Sequence, residues 1–341
     1  YYNPTKGLFL MMMILGTLIS ISSNTWFSVW IGLEINLLSF IPLISSTKNP
    51  LSNESALKYF LIQAIASSML LFVVIIMHLM SDIMNYMMKN SILTIISSIL
   101  LLKMGAAPFH FWFPGTMEGM NWINCMILMT WQKIAPMMLI SYLISINMFF
   151  IMIILLSNMI GALGGFNQTS LRKLMAYSSI NHLGWMLAAM ISNDALWEIY
   201  FFIYSFLSTS LILIFWMYNL FHINQSFISL NNNFLIKFNI YLILFSLGGL
   251  PPFLGFLPKW LVIESMLKFN LNFTVIIMIL FTLITLFYYL RITFSATLIS
   301  YTEMSWNLLN FKMSPPILIM TILSSISSLG LMFCVSLYNV M

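Results

Sequence analysis

The stretch "LLLKMGAAPFHFWFP", residues 100–114, begins as an apolar helix and then contains two features that a membrane helix normally avoids. Lys103 lies inside the apolar run, where a charge costs about 2.5–3.5 kcal/mol even on the mildest insertion scale. Pro108 follows shortly after Gly105; it lacks an N–H and would clash with the carbonyl group of Met104. The stretch therefore predicts a membrane-spanning helix that is broken next to a buried cation.

The composition supports a membrane protein along the whole chain. Of the 341 residues, 61% are hydrophobic and only 6% are charged, whereas a soluble domain carries about 25% charge. No GxGxxG or phosphate-loop pattern occurs, which excludes an in-chain nucleotide-binding domain. The net charge of +5 is spread without a basic tract, so nucleic acid is not an expected partner. The two cysteines lack CxxC partners, which argues against zinc or iron–sulfur ligation.

Polar clusters divide the chain into eleven apolar segments, each long enough to cross a bilayer core of about 30 Å at roughly 20 residues per helix. The predicted spans are residues 7–23, 25–46, 56–80, 91–112, 120–145, 147–166, 171–191, 195–220, 236–266, 271–299 and 315–338. Because helices satisfy their own backbone hydrogen bonds, we expect an all-α polytopic membrane protein. The chain is treated as a single membrane domain, residues 1–341.

The basic residues predict the orientation. If the spans alternate, one side of the membrane collects eight basic residues and the other collects two. The first side holds Lys6, Lys48, Lys58, Arg172, Lys173, Lys237, Arg291 and Lys312, and the second holds Lys89 and Lys268. By the positive-inside rule the N-terminus faces the compartment of synthesis, and an odd number of spans puts the C-terminus on the opposite side.

A weak internal repeat relates two predicted spans. "KMGAAPFHFW" in the fourth span and "LGGLPPFLGFLPKW" in the ninth each combine small residues, proline, aromatic residues and one lysine. They are the fourth members of two five-helix groups, residues 1–146 and 147–300, which leaves 301–341 for a C-terminal helix. Five is odd, so the groups would have inverted topology, and broken helices at matching positions indicate an ion path near the midplane. The residues of the two breaks are Gly105, Pro108, Gly248, Gly249, Pro251 and Pro252.

Four ionisable residues lie deep in predicted spans: Glu34, Lys103, Lys133 and Lys259. Each could form a structural ion pair, or a lysine could extend to the interface. Glu34, Lys103 and Lys133 are too far from a helix end for the second explanation, which stays open for Lys259. One glutamate cannot neutralise three lysines. Because a nearby carboxylate favours a protonated lysine and an apolar environment disfavours it, a lysine whose proton affinity depends on Glu34 would act as a proton switch.

The breaks and the histidines leave alternatives open. Pro251 and Pro252 free the carbonyl groups of Leu247 and Gly248, which then line a hydrated cavity or are recaptured by neighbours. A break can equally be a packing kink. His182 could relay protons or only bond a neighbouring carbonyl group, and the same choice holds for His110.

Five motifs together resemble one family. They are "GLEIN" at 32–36, "LLLKMGAAPFHFWFP" at 100–114, "TWQKIAP" at 130–136, "SSINHLGW" at 178–185 and "LGGLPPFLGFLPKW" at 247–260. The chain resembles the antiporter-like proton-translocating subunits of respiratory complex I over essentially its whole length, in the form found in animal, and more narrowly arthropod, mitochondria. Family members typically have fourteen helices, and the animal form lacks the first three, which agrees with eleven spans.

The resemblance implies roles for individual residues. Glu34 and Lys103 correspond to the charged pair, Lys133 to the lysine that links two half-channels, and Lys259 to the lysine at the second broken helix. His182 matches the family's histidine, with a less defined role. The family function is proton translocation driven by electron transfer from NADH to ubiquinone, carried out in other subunits.

The resemblance also implies a location and partners. We expect the mitochondrial inner membrane, with the N-terminus in the matrix and the C-terminus in the intermembrane space. The expected partners are a neighbouring antiporter-like subunit, small core membrane subunits, accessory subunits, and lipids such as cardiolipin. NADH, flavin, iron–sulfur clusters and ubiquinone are expected in partner subunits, with no cofactor in this chain. Two alternatives remain open: a subunit of a multi-subunit cation/proton antiporter, and a structural spacer whose charges serve only assembly.

Overall fold

The computed structural model describes residues 4–46, 49–79, 86–225, 234–294 and 321–331. Within these ranges the regular structure is helical and no strand is formed; Ser170 and His222 make one isolated bridge. The prediction of an all-α membrane protein is confirmed at this level. Lys48, Lys312 and much of the predicted last span, 315–338, lie outside the described residues.

The chain divides into two compact units, Tyr1–Ile153 and Ile154–Met341. The described residues of the first unit form seven helices that lie wholly within it: α1 (Pro4–Ser22), α2 (Trp26–Ile44), α3 (Pro50–Leu79), α4 (Tyr86–Met104), α5 (Trp112–Gly119), α6 (Trp122–Met129) and α7 (Trp131–Ser141). Helix α8 (Met148–Gly165) begins in the first unit and continues into the second. The second unit also contains α9 (Leu171–Ser192), α10 (Asp194–Met217), α11 (Phe234–Gly248), α12 (Phe256–Lys268), α13 (Asn272–Phe294) and α14 (Thr321–Leu331).

Seven helices of the described ranges are long and apolar enough to cross a membrane, counting α6 and α7 together as one. Among the other helices, α4, α5, α11 and α12 border interruptions, and α9 carries polar residues. Helix α9 contains Arg172, Lys173, Asn181 and His182. It is also deeply enclosed, since nearly every residue between Leu174 and Met190 is buried.

Glycines bring α1 and α2 into backbone contact. A Cβ atom on Gly16 would lie 2.8 Å from the backbone nitrogen of Asn36, and one on Gly32 would lie 2.6 Å from the backbone nitrogen of Ser20. Small residues permit this approach, which is a common way for membrane helices to associate in the absence of a hydrophobic driving force. The contact holds the helix that carries Glu34 tightly against α1.

Three helices are interrupted within the described ranges. Two interruptions, between α4 and α5 and between α11 and α12, coincide with the Gly/Pro stretches of the sequence. The third separates α6 from α7 at Thr130, inside a segment that the sequence predicts as the continuous span 120–145. Its physical cause is local: the Thr130 hydroxyl donates to the carbonyl group of Met126 at 2.7 Å, and Pro136 cannot donate to the carbonyl group of Gln132.

Candidate functional site

The end of α4 forms a glycine-capped turn directly after Lys103. The N–H of Gly105 donates to the carbonyl group of Leu102 and the N–H of Ala106 to that of Leu101, each at 3.1 Å. Gly105 has φ = 74°, the left-handed conformation that this capping motif requires at the residue after the helix. The helix thus ends at Met104, one residue after the buried lysine.

Side chains also donate hydrogen bonds to carbonyl groups at the end of α4. Trp112 donates its indole N–H to the carbonyl oxygen of Leu102 at 3.1 Å, and Gln63 on α3 donates to the carbonyl oxygen of Lys103 at 3.2 Å. Unsatisfied carbonyl groups at membrane depth would each cost several kcal/mol. The break is therefore a satisfied structure, held by α3 and by the first residue of α5.

Lys103 and Lys133 line the same cavity of about 20 Å³, which is large enough for a water molecule. Lys103 is 8% exposed and Lys133 is 1% exposed, so both are enclosed by protein. The ammonium group of Lys133 lies 5.4 Å from the ring centroid of Phe113, where the negative face of the ring stabilises a cation. Two buried amines from separate helices thus share one small polar space.

Glu34 lies on α2, within electrostatic range of Lys103. In the described structure no direct ion pair shorter than 4 Å joins these two residues; the ion pairs Lys58–Glu54 (2.6 Å) and Lys268–Glu264 (2.9 Å) are half-exposed helix pairs. One carboxylate oxygen of Glu34, Oε2, is buried and has no hydrogen-bond partner there. The carboxylate therefore influences Lys103 without being locked to it.

Amide side chains also line the cavity, and the sequence analysis did not identify them as part of the site. Asn36 on α2 and Gln132 on α7 hydrogen-bond each other in both directions, at 2.9 and 3.0 Å. Both side chains, with Gln63, line the cavity that holds Lys103 and Lys133. The sequence signal that could have identified Asn36 and Gln132 is their closeness to Glu34 in "GLEIN" and to Lys133 in "TWQKIAP".

The break between α11 and α12 repeats the chemistry of the first break. Gly249 has φ = 78°, and its N–H donates to the carbonyl group of Ser246 at 3.0 Å while the N–H of Leu250 donates to Phe245 at 3.3 Å. This is the same capping pattern as at Gly105. Both breaks therefore end their first helix in one way, with glycine supplying the left-handed residue.

Lys259 binds the carbonyl groups that the two prolines release. Its Nζ donates to the carbonyl oxygen of Gly248 at 2.8 Å and to that of Leu247 at 3.5 Å. Pro251 and Pro252 stand four residues after these carbonyl groups and have no N–H to offer them. The 5% exposed lysine thus caps the C-terminal end of α11, where the helix dipole is negative.

His182 is buried in α9 and bonded to a tyrosine. Its Nδ1 lies 2.9 Å from the hydroxyl oxygen of Tyr200 on α10, and its ring stands 5.0 Å from that of Tyr204. The three residues line a cavity that also contacts Leu247, whose carbonyl oxygen faces Lys259. His182 and Lys259 therefore border neighbouring polar regions of the second unit.

The structure brings the proposed residues together in two sets, each within one unit. Glu34, Lys103 and Lys133 form the first set, and Lys259 and His182 form the second. These groups can hold, accept and release protons, and they carry no electrons. Within the described ranges no group of three or more His, Cys, Asp or Glu side chains could hold a metal ion.

Sequence comparison over most of the chain identifies the family to which it belongs. Residues 23–285 match the family described as "NADH:quinone oxidoreductase/Mrp antiporter, TM". The NADH-ubiquinone oxidoreductase chain 2 of Aedes aegypti is 56% identical over 338 residues, covering 99% of both chains. That of Anopheles gambiae is 54% identical over 344 residues, again with 99% of both chains covered. The chain belongs to the NADH-ubiquinone oxidoreductase chain 2 family.

Solved structures agree with this family in fold. A chain of respiratory complex I from Thermus thermophilus, with bound aureothin, superposes with a TM-score of 0.83 at 20% identity, covering 96% of this chain and 79% of that one. A chain of the Mrp complex from Dietzia has a TM-score of 0.72 at 15% identity, covering 84% of this chain and 59% of that one. The family resemblance inferred from five motifs is confirmed, and the two relatives above, from Aedes aegypti and Anopheles gambiae, agree with the expected arthropod form.

Proposed function

We propose that this chain is a membrane subunit of NADH–ubiquinone oxidoreductase that translocates protons across the mitochondrial inner membrane. The observation that carries the proposal is the shared cavity of Lys103 and Lys133, with Glu34 in electrostatic range of Lys103. Membership in the chain 2 family supplies the reaction: electrons pass from NADH to ubiquinone in other subunits, and this chain uses the released energy.

The mechanism follows from the charges. While Glu34 is near, its carboxylate stabilises the protonated form of Lys103. When an event in an adjacent subunit draws Glu34 away, the apolar surroundings favour loss of that proton. The proton passes through water in the cavity to Lys133 and then towards Lys259. Each charge moved against the membrane potential stores about 2.3 kcal/mol per 100 mV.

The polar residues of the second unit have roles in the same proposal. Lys259 receives the proton at the end of α11, where its partners are the Gly248 and Leu247 carbonyl groups. A lysine bonded to neutral carbonyl groups can lose its proton without leaving an unpaired carboxylate behind. His182, with its bond to Tyr200, is the second polar residue proposed for this part of the path.

Topology and repeats belong to the same proposal. We assign eleven membrane crossings to the chain, counting α4 with α5, α6 with α7, and α11 with α12 as one crossing each; the described helices are compatible with this assignment. We assign 1–146 and 147–300 to two inverted five-helix repeats within a single membrane domain, and 301–341 to a C-terminal helix. The charge bias of the sequence favours a matrix N-terminus and an intermembrane-space C-terminus.

The proposal includes partners. Flavin, iron–sulfur clusters, NADH and ubiquinone are assigned to other subunits. The chain would contact a neighbouring antiporter-like subunit, small core membrane subunits, accessory subunits and lipids such as cardiolipin. The support is the family membership together with the fold shared with a chain of a respiratory complex I assembly.

A subunit of a multi-subunit cation/proton antiporter is the second candidate function. The fold shared with the Mrp complex chain favours it, and the buried charges would serve either function. The 56% identity to a chain 2 relative favours the first candidate. Purifying the native assembly separates them, because companions that bind flavin and iron–sulfur clusters fit only the first.

Replacing Lys103 tests the proposed function. In the assembled complex, reconstituted into proteoliposomes, Lys103→Met should reduce NADH-driven proton pumping at least tenfold, because methionine fills the space but holds no proton. Lys58→Met is the matched control: this lysine is half-exposed and paired on the helix surface, where a pair contributes about 0–1 kcal/mol.

Unchanged pumping by an assembled Lys103→Met complex would show that the proposed switch is wrong. Normal assembly combined with lost pumping would exclude the other alternative, in which the chain is a structural spacer whose charges serve only assembly.

A further inference from the structure

The reciprocal amide pair of Asn36 and Gln132 has no part in the mechanism above. Each side chain donates one N–H to the other's carbonyl oxygen, at 2.9 and 3.0 Å, which are good hydrogen-bond distances. The pair joins α2 to α7 across 96 residues of chain. Asn36 is buried, so the pair is protected from competition by bulk water.

The pair is close in sequence to two charged residues that the mechanism needs and shares a cavity with the lysines. Asn36 is two residues from Glu34 on α2, and Gln132 directly precedes Lys133 on α7. Both amides line the cavity of Lys103 and Lys133. A change in the pair therefore alters the placement of the carboxylate helix against the lysine helix.

The first turn of α7 has few constraints from its own helix. It begins after the interruption at Thr130, which has no side-chain cap bond. Pro136 leaves the carbonyl group of Gln132 without its usual donor. By contrast, α2 is held at Asn36 by its close contact with Gly16 on α1. The amide pair thus ties the loosely built first turn of α7 to a well-held helix.

We propose that Asn36 and Gln132 are positioning residues that hold Lys133 at proton-transfer distance from Lys103. The proposal rests on the proposed proton function. Amide side chains stay neutral at every pH of interest, so the pair persists whichever lysine carries the proton, whereas an ion pair would change with each transfer. Proton transfer needs heavy atoms about 2.6–3.2 Å apart or joined by one water, so a small displacement of α7 matters.

Exchanging the two amides provides the test. The single variants Asn36→Gln and Gln132→Asn keep polarity but change the combined side-chain length by one methylene group in opposite directions. The double variant Asn36→Gln/Gln132→Asn restores that length. In proteoliposomes we expect each single variant to reduce proton pumping about tenfold or more, since a misplacement of about 1 Å can cost 10²-fold. The double variant should recover to within about threefold of wild type.

The control removes a different inter-helix amide bond. Asn124 on α6 donates to the carbonyl group of Leu43 on α2 at 2.9 Å, and it does not line the cavity. Asn124→Leu should reduce the thermal stability of the complex while the protons pumped per electron stay the same. A structural role for the Asn36–Gln132 pair would make its variants behave like this control.

Each outcome decides the inference. Wild-type pumping by both single variants overturns it, and so does a double variant as impaired as the singles. If a single variant does not assemble, the double variant alone decides, because restored assembly without restored pumping contradicts a positioning role. Lys103→Met, measured in the same preparation, separates the two proposals: pumping lost there but kept in the amide variants rejects only this inference.

Discussion

At Lys259 a single side chain is at once a charge carrier and a helix cap. Its two carbonyl partners are those that Pro251 and Pro252 leave free. Gly249 makes this geometry possible, because its φ of 78° suits glycine and a Cβ atom there would lie 2.9 Å from both Cδ and Nζ of Lys259. The lysine occupies space that another residue type at 249 would take.

Gly249→Ala should therefore displace Lys259 and strain the turn. We expect at least a fivefold loss of pumping in the assembled complex and a stability loss of about 1–2 kcal/mol. Gly248→Ala is the matched control: Gly248 is the last residue of α11 and has no left-handed φ, and the nearest atom to a new Cβ there is 3.6 Å away. Equal effects of the two substitutions in pumping assays and thermal melts would contradict this explanation.

Individual residues of the site differ in how far one sequence reveals them. Glu34, Lys103 and Lys133 are detectable because a charge deep in an apolar run requires a reason. Their neighbours Gln63 and Gln132 are ordinary polar residues in sequence, and their partners lie 40 and 96 residues away. Such long-range pairing depends on tertiary packing, so no local pattern indicates it.

At the scale of elements, glycine contacts decide how closely α1 and α2 pack. Gly32→Leu should prevent this packing, because a Cβ there would meet the backbone of Ser20 at 2.6 Å and cannot be accommodated by a side-chain rotation. We expect a severalfold loss of assembled complex on a native gel. Gly7→Leu is the control on the same pair of helices, since nothing lies within 4 Å of a Cβ at that position.

A normal yield of the Gly32→Leu complex would mean that α1 and α2 can separate without consequence. A loss of yield for both variants would point to an effect of leucine itself on membrane insertion. The comparison thus distinguishes packing from hydrophobicity.

Elements were predictable where glycine and proline mark them. The ends of α4 and α11 follow from Gly105 and Gly249, with prolines shortly after each. The interruption at Thr130 was missed, since threonine is common in membrane helices and Pro136 stands six residues later. There the hydroxyl bond to Met126 and the missing donor at Pro136 act together, a combination that composition alone does not indicate.

At the scale of the whole molecule, the proposed orientation can be measured. Single cysteines at Lys58 and Lys268, both exposed positions, should react with a membrane-impermeant maleimide from opposite sides: position 58 from the matrix and position 268 from the intermembrane space. Mitochondria expose the intermembrane-space side to the reagent, and inverted inner-membrane vesicles expose the matrix side. Mass spectrometry of the chain then shows which cysteine has reacted. The background carries Cys334→Ser, and native Cys125 is buried.

Labelling of both positions from one side would overturn the alternating topology. Reversed labelling would keep the alternation and reject the matrix N-terminus.

The whole-molecule prediction of a helical membrane protein came directly from composition, because 61% hydrophobic residues cannot form a soluble surface. The association of helices into two units depends on contacts between distant segments and was not predictable in detail.

The glycine contact between α1 and α2 also limits how Glu34 can move. Gly16 and Gly32 leave no room for sliding, because backbone atoms of one helix already meet the Cα positions of the other. The carboxylate can therefore move away from Lys103 in two ways. The Glu34 side chain can rotate about its own bonds, or α1 and α2 can tilt together as one rigid hairpin. The backbone contact between α1 and α2 suppresses thermal bending of α2 on its own.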